Sequence, residues 1–358
     1  MINDILTLAR QNRINFVCSI KPIFIVGASR AGTTWLQSLL SLHPWIFTIP
    51  ETKLFQQVLD SHKVLTFSEL YPQQKKPVPF LISKRQLEIS FNHLDAIGFI
   101  KLSAHIRNFL MSLAEKNLLD VCLLLNLIMY NAGNSKENIV NKFWVEKTPR
   151  HIFFLEDIFH YFPNARVICI YRDLIDQAYS GYRTFGYPII EGLIDGFKSY
   201  NSIDKYIKAH PDDELKIFRV TYEELKADPK QILNNIFRFL GILPLDLSNE
   251  ELKKLSQKSF LNIYANTSMT SWQPKMKNFD HVGQDKVLFE KYTYMLSLLF
   301  RNKTKSLIRP RQYSYSDFFS IKFILFGIKH FFLYALFLFK TKVKEIAILL
   351  SRHLKKLG

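Results

Sequence analysis

The chain has 358 residues, with 48 Lys and Arg against 31 Asp and Glu and only three cysteines. That length holds one large α/β domain or two small ones, with ample core. Cys18, Cys122 and Cys169 have no paired spacing, which excludes a disulfide framework, and Cys169 within its apolar run reads as a buried thiol of a reducing compartment. The N-terminus lacks a basic start followed by a sustained apolar run, so no secretory leader is expected. Charge is unevenly placed. Residues 301–358 carry 13 Lys and Arg against Asp317 and Glu345, whereas residues 1–300 carry 35 basic and 29 acidic side chains. A basic excess confined to an aromatic-rich tail fits an anionic membrane surface better than nucleic acid.

Residues 1–20 read as a short helical lead-in. Pro22-Ile-Phe-Ile-Val26 then predicts a strand, and Thr34–Leu40 a helix. Between them lies Gly27-Ala-Ser-Arg-Ala-Gly32, the frame of a phosphate-binding loop, with Thr33 where a nucleotide triphosphatase carries its lysine. Backbone amides and a helix dipole there favour an anion. Ile49-Pro50-Glu51-Thr52-Lys53 follows a second strand. The stretch 61–140 reads as mostly helical, especially Leu94–Leu113 and Leu118–Tyr130.

An α/β rhythm then resumes. Phe143–Val145 predicts a short strand followed by Glu146-Lys147-Thr148-Pro149, and Ile152–Tyr161 a helix. Ala165–Tyr171 is the strongest strand signal, Leu174–Tyr187 a helix, Leu215–Val220 a strand, and Pro229–Leu240 a helix stopped by Gly241. Such alternation implies a parallel sheet covered on both faces. Ligands gather at the carboxyl ends of parallel strands, where the glycine loop, Lys147 and Arg172 all fall. Arg172, with Ser180 two helical turns on, suits a second phosphate; the alternative is a surface ion pair of Arg172 with Asp173 or Asp176.

On these segments the chain resembles sulfotransferases that use 3′-phosphoadenosine-5′-phosphosulfate (PAPS). Ser29-Arg30-Ala31-Gly32-Thr33-Thr34-Trp35-Leu36 is similar to the family's Pro-Lys/Arg-Ser-Gly-Thr-Thr-x-Leu segment for the 5′-phosphosulfate. Arg172–Ser180 is similar to Arg-Asp-Pro-x-Asp-x-x-x-Ser, the 3′-phosphate segment, with Leu174 in place of proline. Val220-Thr-Tyr-Glu-Glu-Leu225 resembles the Tyr-Glu-Asp/Glu-Leu stretch near the adenosine, and Glu146–Pro149 a segment frequent in bacterial members. The likeness spans roughly residues 21–245, with 61–140 only loosely included.

The resemblance implies a three-layer α/β/α fold with a central parallel sheet, of the P-loop NTPase-like sulfotransferase kind. It implies a domain over 21–300 with a helical acceptor-side insertion at 61–140, between the lead-in and a C-terminal helical tail at 301–358. The implied reaction moves a sulfuryl group from PAPS to a hydroxyl or amine of a glycan, lipid-linked or other acceptor, with no metal. Ser29, Arg30, Ala31, Gly32, Thr33 and Thr34 would hold the 5′ side, and Arg172 and Ser180 the 3′-phosphate. Trp35 and Tyr222 would stack on adenine or pack in the core; further on, where the family pattern fades, the polar stretch Asn266-Thr267-Ser268 either supplies a hydroxyl to the phosphates through Ser268 or is a loop without function.

Arg30 sits where cytosolic members place a lysine, as in bacterial and protein-tyrosine members, and Lys147 would be a second cation on the sulfuryl group. Glu51 matches the glutamate base of those same members, the Lys-Thr-His context of cytosolic ones being absent. Arg30 in a structural salt bridge and Glu51 as a helix N-terminal carboxylate are the alternatives, and His43 and His151 are weaker base candidates. Other readings of the chain are a P-loop nucleotide kinase and a non-catalytic membrane-associated protein retaining the fold. Ser320–Phe339 is nearly long enough to span a bilayer but contains Lys322 and Lys329, which suits lying in the headgroup plane. A helix packed on the core or a dimer interface is the alternative there. The expected location is cytoplasmic, at the membrane periphery.

Overall fold

The strand β1 (Pro22–Gly27) is apolar along its whole length and buried at every position, the mark of a central strand in a covered parallel sheet. In the computed structural model, residues 22–48, 51–53, 104–115, 143–264 and 325–336 are described continuously, with single positions between 55 and 124 and between 287 and 343. The lead-in at 1–20, most of 61–140 and Ser268 lie outside the described residues. The chain forms two compact units, one of residues 1–62, 74–171 and 202–273, the other of residues 63–73, 172–201 and 274–358.

The first unit is built on five strands in the order β2-β3-β1-β4-β5, all parallel. They are β1, β2 (Ile46–Thr48), β3 (Phe143–Lys147), β4 (Arg166–Tyr171) and β5 (Ile217–Thr221). Registers Ile25↔Lys147, Gly27↔Ile170 and Tyr171↔Thr221 bring the carboxyl ends of four strands to one edge. Helices connect them: α1 (Thr33–Leu40), α2 (Ala104–Glu115) and α3 (Leu155–Tyr161) before β4, then α4 (Leu174–Phe185) and α5 (Ile189–Ala209) before β5. After β5 come α6 (Tyr222–Ala227), α7 (Pro229–Leu240) and α8 (Asn249–Tyr264). One face of the sheet packs an aromatic group in which Phe24 lies 5.5 Å from Phe162 and 6.2 Å from Phe55, ring centre to ring centre. Cys169 is fully buried, and burial pushes its thiol up to about 12, which makes it inert.

Sequence signals mark the helix ends. Asp228 caps α7 by accepting the Gln231 N–H, Leu233, Ile236, Phe237 and Leu240 form its buried stripe, and Gly241 closes it in the left-handed region. Several boundaries differ from the sequence pattern. β3 runs on to Lys147, so Glu146 and Lys147 end the strand instead of following it; both polar side chains are buried against partners, which lets the strand continue. Pro149 starts a 3₁₀ turn, Pro149–Phe153, so the helix expected from Ile152 begins only at Leu155. Pro211 starts another, Pro211–Lys216, which delays β5 to Ile217 and leaves Leu215 exposed. α4 stops at Phe185 because Gly186 takes a left-handed conformation.

In the second unit α4 and the first part of α5 pack with almost no space between them. A Cβ on Gly192 would stand 2.8 Å from the Ala178 Cα, and one on Gly196 2.5 Å from Leu174 Cδ2. Small residues four apart thus let the two helices touch. The helical residues 325–336 belong to the same unit and turn His330 inward, 1% exposed, with its ring 5.2 Å from Tyr182 and 4.3 Å from Phe326. Among the described residues no helix is long and apolar enough to cross a membrane.

Burial first, and Lys329 second, push the His330 imidazole down to about 4, well below its ordinary value of 6.5. The folded state therefore resists a proton that the unfolded state accepts. This packing is intact above pH 6.5 and is lost progressively as the pH falls towards about 4, by up to about 3 kcal/mol. The protection factors of residues 325–336, with the slower intrinsic exchange at low pH divided out, are expected to fall between pH 7 and pH 5, and His330→Phe to remove that dependence. Equal protection at both pH values would contradict it.

Candidate active site

The loop after β1 has its glycines where contacts demand them. A Cβ on Gly27 would meet the Ile170 carbonyl at 2.6 Å, and one on Gly32 would meet the Tyr222 ring at 2.6 Å. Gly32 (φ 103°) is also the N-cap of α1, with no side chain capping the first turn among the described residues. The first turn of α1 thus offers its amides and dipole to an anion. Arg30 has φ 69° and Lys53 φ 50°, the two non-glycine residues in the left-handed region among those described. Each costs about 1–2 kcal/mol, and such strain collects at functional sites.

Lys147 joins the expected residues. Its side chain is 0% exposed at the end of β3, and its Nζ donates to Glu51 Oε1 at 2.5 Å and to Thr34 Oγ1 at 3.2 Å. A buried ammonium has to be paired, so Lys147 ties the start of α1 to the Glu51 segment. Glu51 itself stays 24% exposed, within reach of a bound molecule. Glu51, Thr52 and Lys53 have no regular secondary structure.

Beneath this contact lies a group that the sequence pattern did not reveal. Glu146, 1% exposed, accepts at Oε1 from the Thr52 N–H (3.2 Å), the Thr52 hydroxyl (2.7 Å) and the Thr148 hydroxyl (2.6 Å). His151 Nδ1 lies 2.8 Å from Oε2, and its Nε2 takes the Phe55 N–H at 3.3 Å. Thr148 Oγ1 accepts the Lys53 N–H at 3.1 Å. Burial opposes the Glu146 charge, but His151 and the hydroxyls outweigh it and hold the carboxyl below its ordinary value. One buried carboxylate and its partners therefore tie Thr52, Lys53 and Phe55 to the end of β3, next to the Lys147–Glu51 pair.

His151 thus serves this network, and His43 bonds the Leu243 carbonyl through Nε2 while Nδ1 accepts the Trp45 N–H. Tyr222 opens α6, where Thr221 and Glu224 form a reciprocal capping box, and its ring meets Trp35 edge-on at 5.7 Å. Trp35 and Tyr222 both keep partial exposure, so the pair forms a wall beside Gly32.

The sequence matches the model of the sulfotransferase family over residues 22–246, more than half of the chain. The chain belongs to the sulfotransferase family. The transfer of a sulfuryl group follows from that membership, and the matched span holds the glycine loop, Glu51, Lys147, Arg172 and Tyr222. No curated protein matches the sequence. Among solved structures, the sulfotransferase domain from the curacin biosynthetic pathway is 19% identical, over 78% of this chain and 97% of its own, with a TM-score of 0.44. The mouse sulfotransferase SULT7A1, complexed with PAP, is 15% identical over 84% of this chain and 91% of its own, with a TM-score of 0.41. Retinol dehydratase in complex with androsterone and inactive cofactor PAP is 15% identical over 81% and 82%, with a TM-score of 0.34.

In this sulfotransferase Arg172 follows directly on β4 and belongs to the second unit. Its N–H donates to the Tyr200 hydroxyl at 2.9 Å, and that hydroxyl donates to Gln177 Oε1 at 2.9 Å, so a fully buried tyrosine braces the turn. Asp173 caps α4 by accepting the Ile175 and Asp176 N–H groups, and Ser180 lies buried further along the helix.

Glu146→Gln puts an amide where a network of donors requires a carboxylate. It is expected to cost about 3 kcal/mol, and Thr52→Val about 1 kcal/mol, in denaturant titrations. An unchanged unfolding midpoint for Glu146→Gln would show that the network does not hold the segment.

Proposed function

We propose that this sulfotransferase takes its sulfuryl group from PAPS and passes it to an acceptor hydroxyl, with Glu51 as base. The observation that supports this best is the contact of Lys147 with both Glu51 and Thr34 beside a phosphate-type loop lacking the usual lysine. A carboxylate, a buried cation and the start of a helix meet there. The reacting centre of an oxygen-to-oxygen transfer needs those three things.

The residue types suit the separate parts of PAPS, as the likeness of the segments implies. The first-turn amides of α1 and the hydroxyls of Thr33 and Thr34 suit the 5′-phosphate. Ser29, Arg30 and Ala31 complete the loop around it, and the Trp35–Tyr222 wall offers aromatic surface to adenine. Arg172 and Ser180 take the 3′-phosphate through a guanidinium fork and a hydroxyl. Glu51 removes the acceptor's proton as its oxygen bonds to sulfur and the sulfur–oxygen bond to the 5′-phosphate breaks. Arg30, permanently charged, balances the negative charge left on that phosphate but cannot donate a proton to it. Lys147 holds Glu51 in place and sets positive charge beside the transferred group.

Calorimetry with 3′-phosphoadenosine-5′-phosphate (PAP) and with ATP and Mg²⁺ tests this reading. PAP is expected to bind selectively and without metal, and Arg172→Ala to weaken it by at least about tenfold. Glu51→Gln is expected to bind PAP normally while kcat falls by about 10²–10⁴. Tight ATP binding with no preference for a 3′-phosphate would overturn the reading.

A further inference from the structure

The helical residues 325–336 and 338–340 have one face that the fold uses and one that it leaves open. His330 is buried, and Phe326, Gly327 and Tyr334 are half-buried. At 100° per residue these four fall within an arc of about 100°. Gly327 faces Tyr292, where an added Cβ would stand 3.1 Å from the ring. This anchoring fixes which side of the helix faces outward.

The opposite side is apolar and open. Leu325, Ile328, Phe331, Phe332, Leu336 and Phe339 are all exposed, the three phenylalanines by 63%, 74% and 67%. They span an arc of about 140°. Exposed apolar surface of this extent on a fixed helix marks a contact with something apolar. Lys329 and Lys340, both exposed, follow at the edge of that arc, within about 20° of each other. The surrounding sequence adds charge of the same sign, since residues 301–358 hold 13 Lys and Arg and only two acids.

We propose that this helix lies in the surface of an anionic lipid bilayer. Its phenylalanine face enters the acyl boundary, and Lys329 and Lys340 reach sideways to the headgroups. An apolar face edged by lysines on a long flexible stem is the arrangement that both zones of a bilayer interface favour. The basic residues of the tail add attraction to anionic lipid. A soluble protein partner would need acidic groups placed opposite the same lysine edge, whereas an anionic bilayer supplies them at every position.

The test is flotation of the full chain with vesicles of phosphatidylcholine alone and with about one-third phosphatidylglycerol. Binding to the anionic vesicles is expected to exceed binding to the neutral ones by at least about tenfold and to weaken as salt rises. The variant Phe331→Ser/Phe332→Ser/Phe339→Ser is expected to lose at least about tenfold in vesicle binding with its melting unchanged. Lys329→Glu/Lys340→Glu is expected to lose the preference for anionic lipid. A fluorophore on Phe332→Cys, in a chain also carrying Cys18→Ser and Cys122→Ser, is expected to shift to the blue when anionic vesicles are added. Absence of flotation, equal flotation of the triple phenylalanine variant, or a lipid-free dimer held by those phenylalanines would overturn the proposal.

Discussion

Lys147 has no access to water, and an ammonium in that position must be held by opposite charge and by acceptors. Its two ligands, Glu51 and Thr34, come from chain segments 96 and 113 residues away. Satisfying this one charge therefore fixes how the phosphate-type loop, the segment after β2 and the end of β3 meet. Had β3 ended at Val145, as its apolar pattern suggests, the ammonium would have no strand to carry it to the edge. The parallel pairing of β3 with β1, in register at Ile25 and Lys147, is what brings it there.

Glu146, one residue earlier, points its own charge to the other partners. Adjacent strand residues face opposite sides of a sheet, so successive acidic and basic side chains can organise two different neighbourhoods. Lys147 serves the open edge through Glu51, while Glu146 ties Thr52, Thr148 and His151 together in the interior. The segment carrying Glu51 is thus fastened at Glu51 itself and at the residues that follow it. Left-handed backbone at Lys53 fits such a segment, since strain of that kind persists only where surrounding bonds over-determine the chain.

Much of this was legible in the sequence where the signal is local. The glycine loop, the apolar β1 run, the Arg172–Ser180 segment and the α7 caps each lie within a few residues and obey rules of period or turn chemistry. The likeness of four short segments to sulfotransferases added the expected partners of Arg30 and Glu51. The Glu146 network was illegible because its members, at 52, 55, 146, 148 and 151, share no period and become neighbours only through strand pairing. The boundaries shifted at Pro149 and Pro211 because proline set a 3₁₀ turn where hydrophobic periodicity had suggested a regular element. The sequence alone offers the C-terminal helix two alternatives, packing on the protein or lying at a membrane. In the structure His330 is buried on one side of it, while Phe331, Phe332 and Phe339 are exposed on the other.

On the proposed reading, the glycine loop and the Lys147–Glu51 pair take the 5′ end of PAPS, and Arg172 and Ser180 take its 3′-phosphate. A crystal structure with PAP tests it most directly. The expected result is the 5′-phosphate within hydrogen-bonding distance of the Thr33 and Thr34 amides, the 3′-phosphate on Arg172 and Ser180, and Glu51 facing the space beyond the 5′-phosphate. A nucleotide bound elsewhere, or bound with Arg172 turned away from its 3′-phosphate, would contradict it.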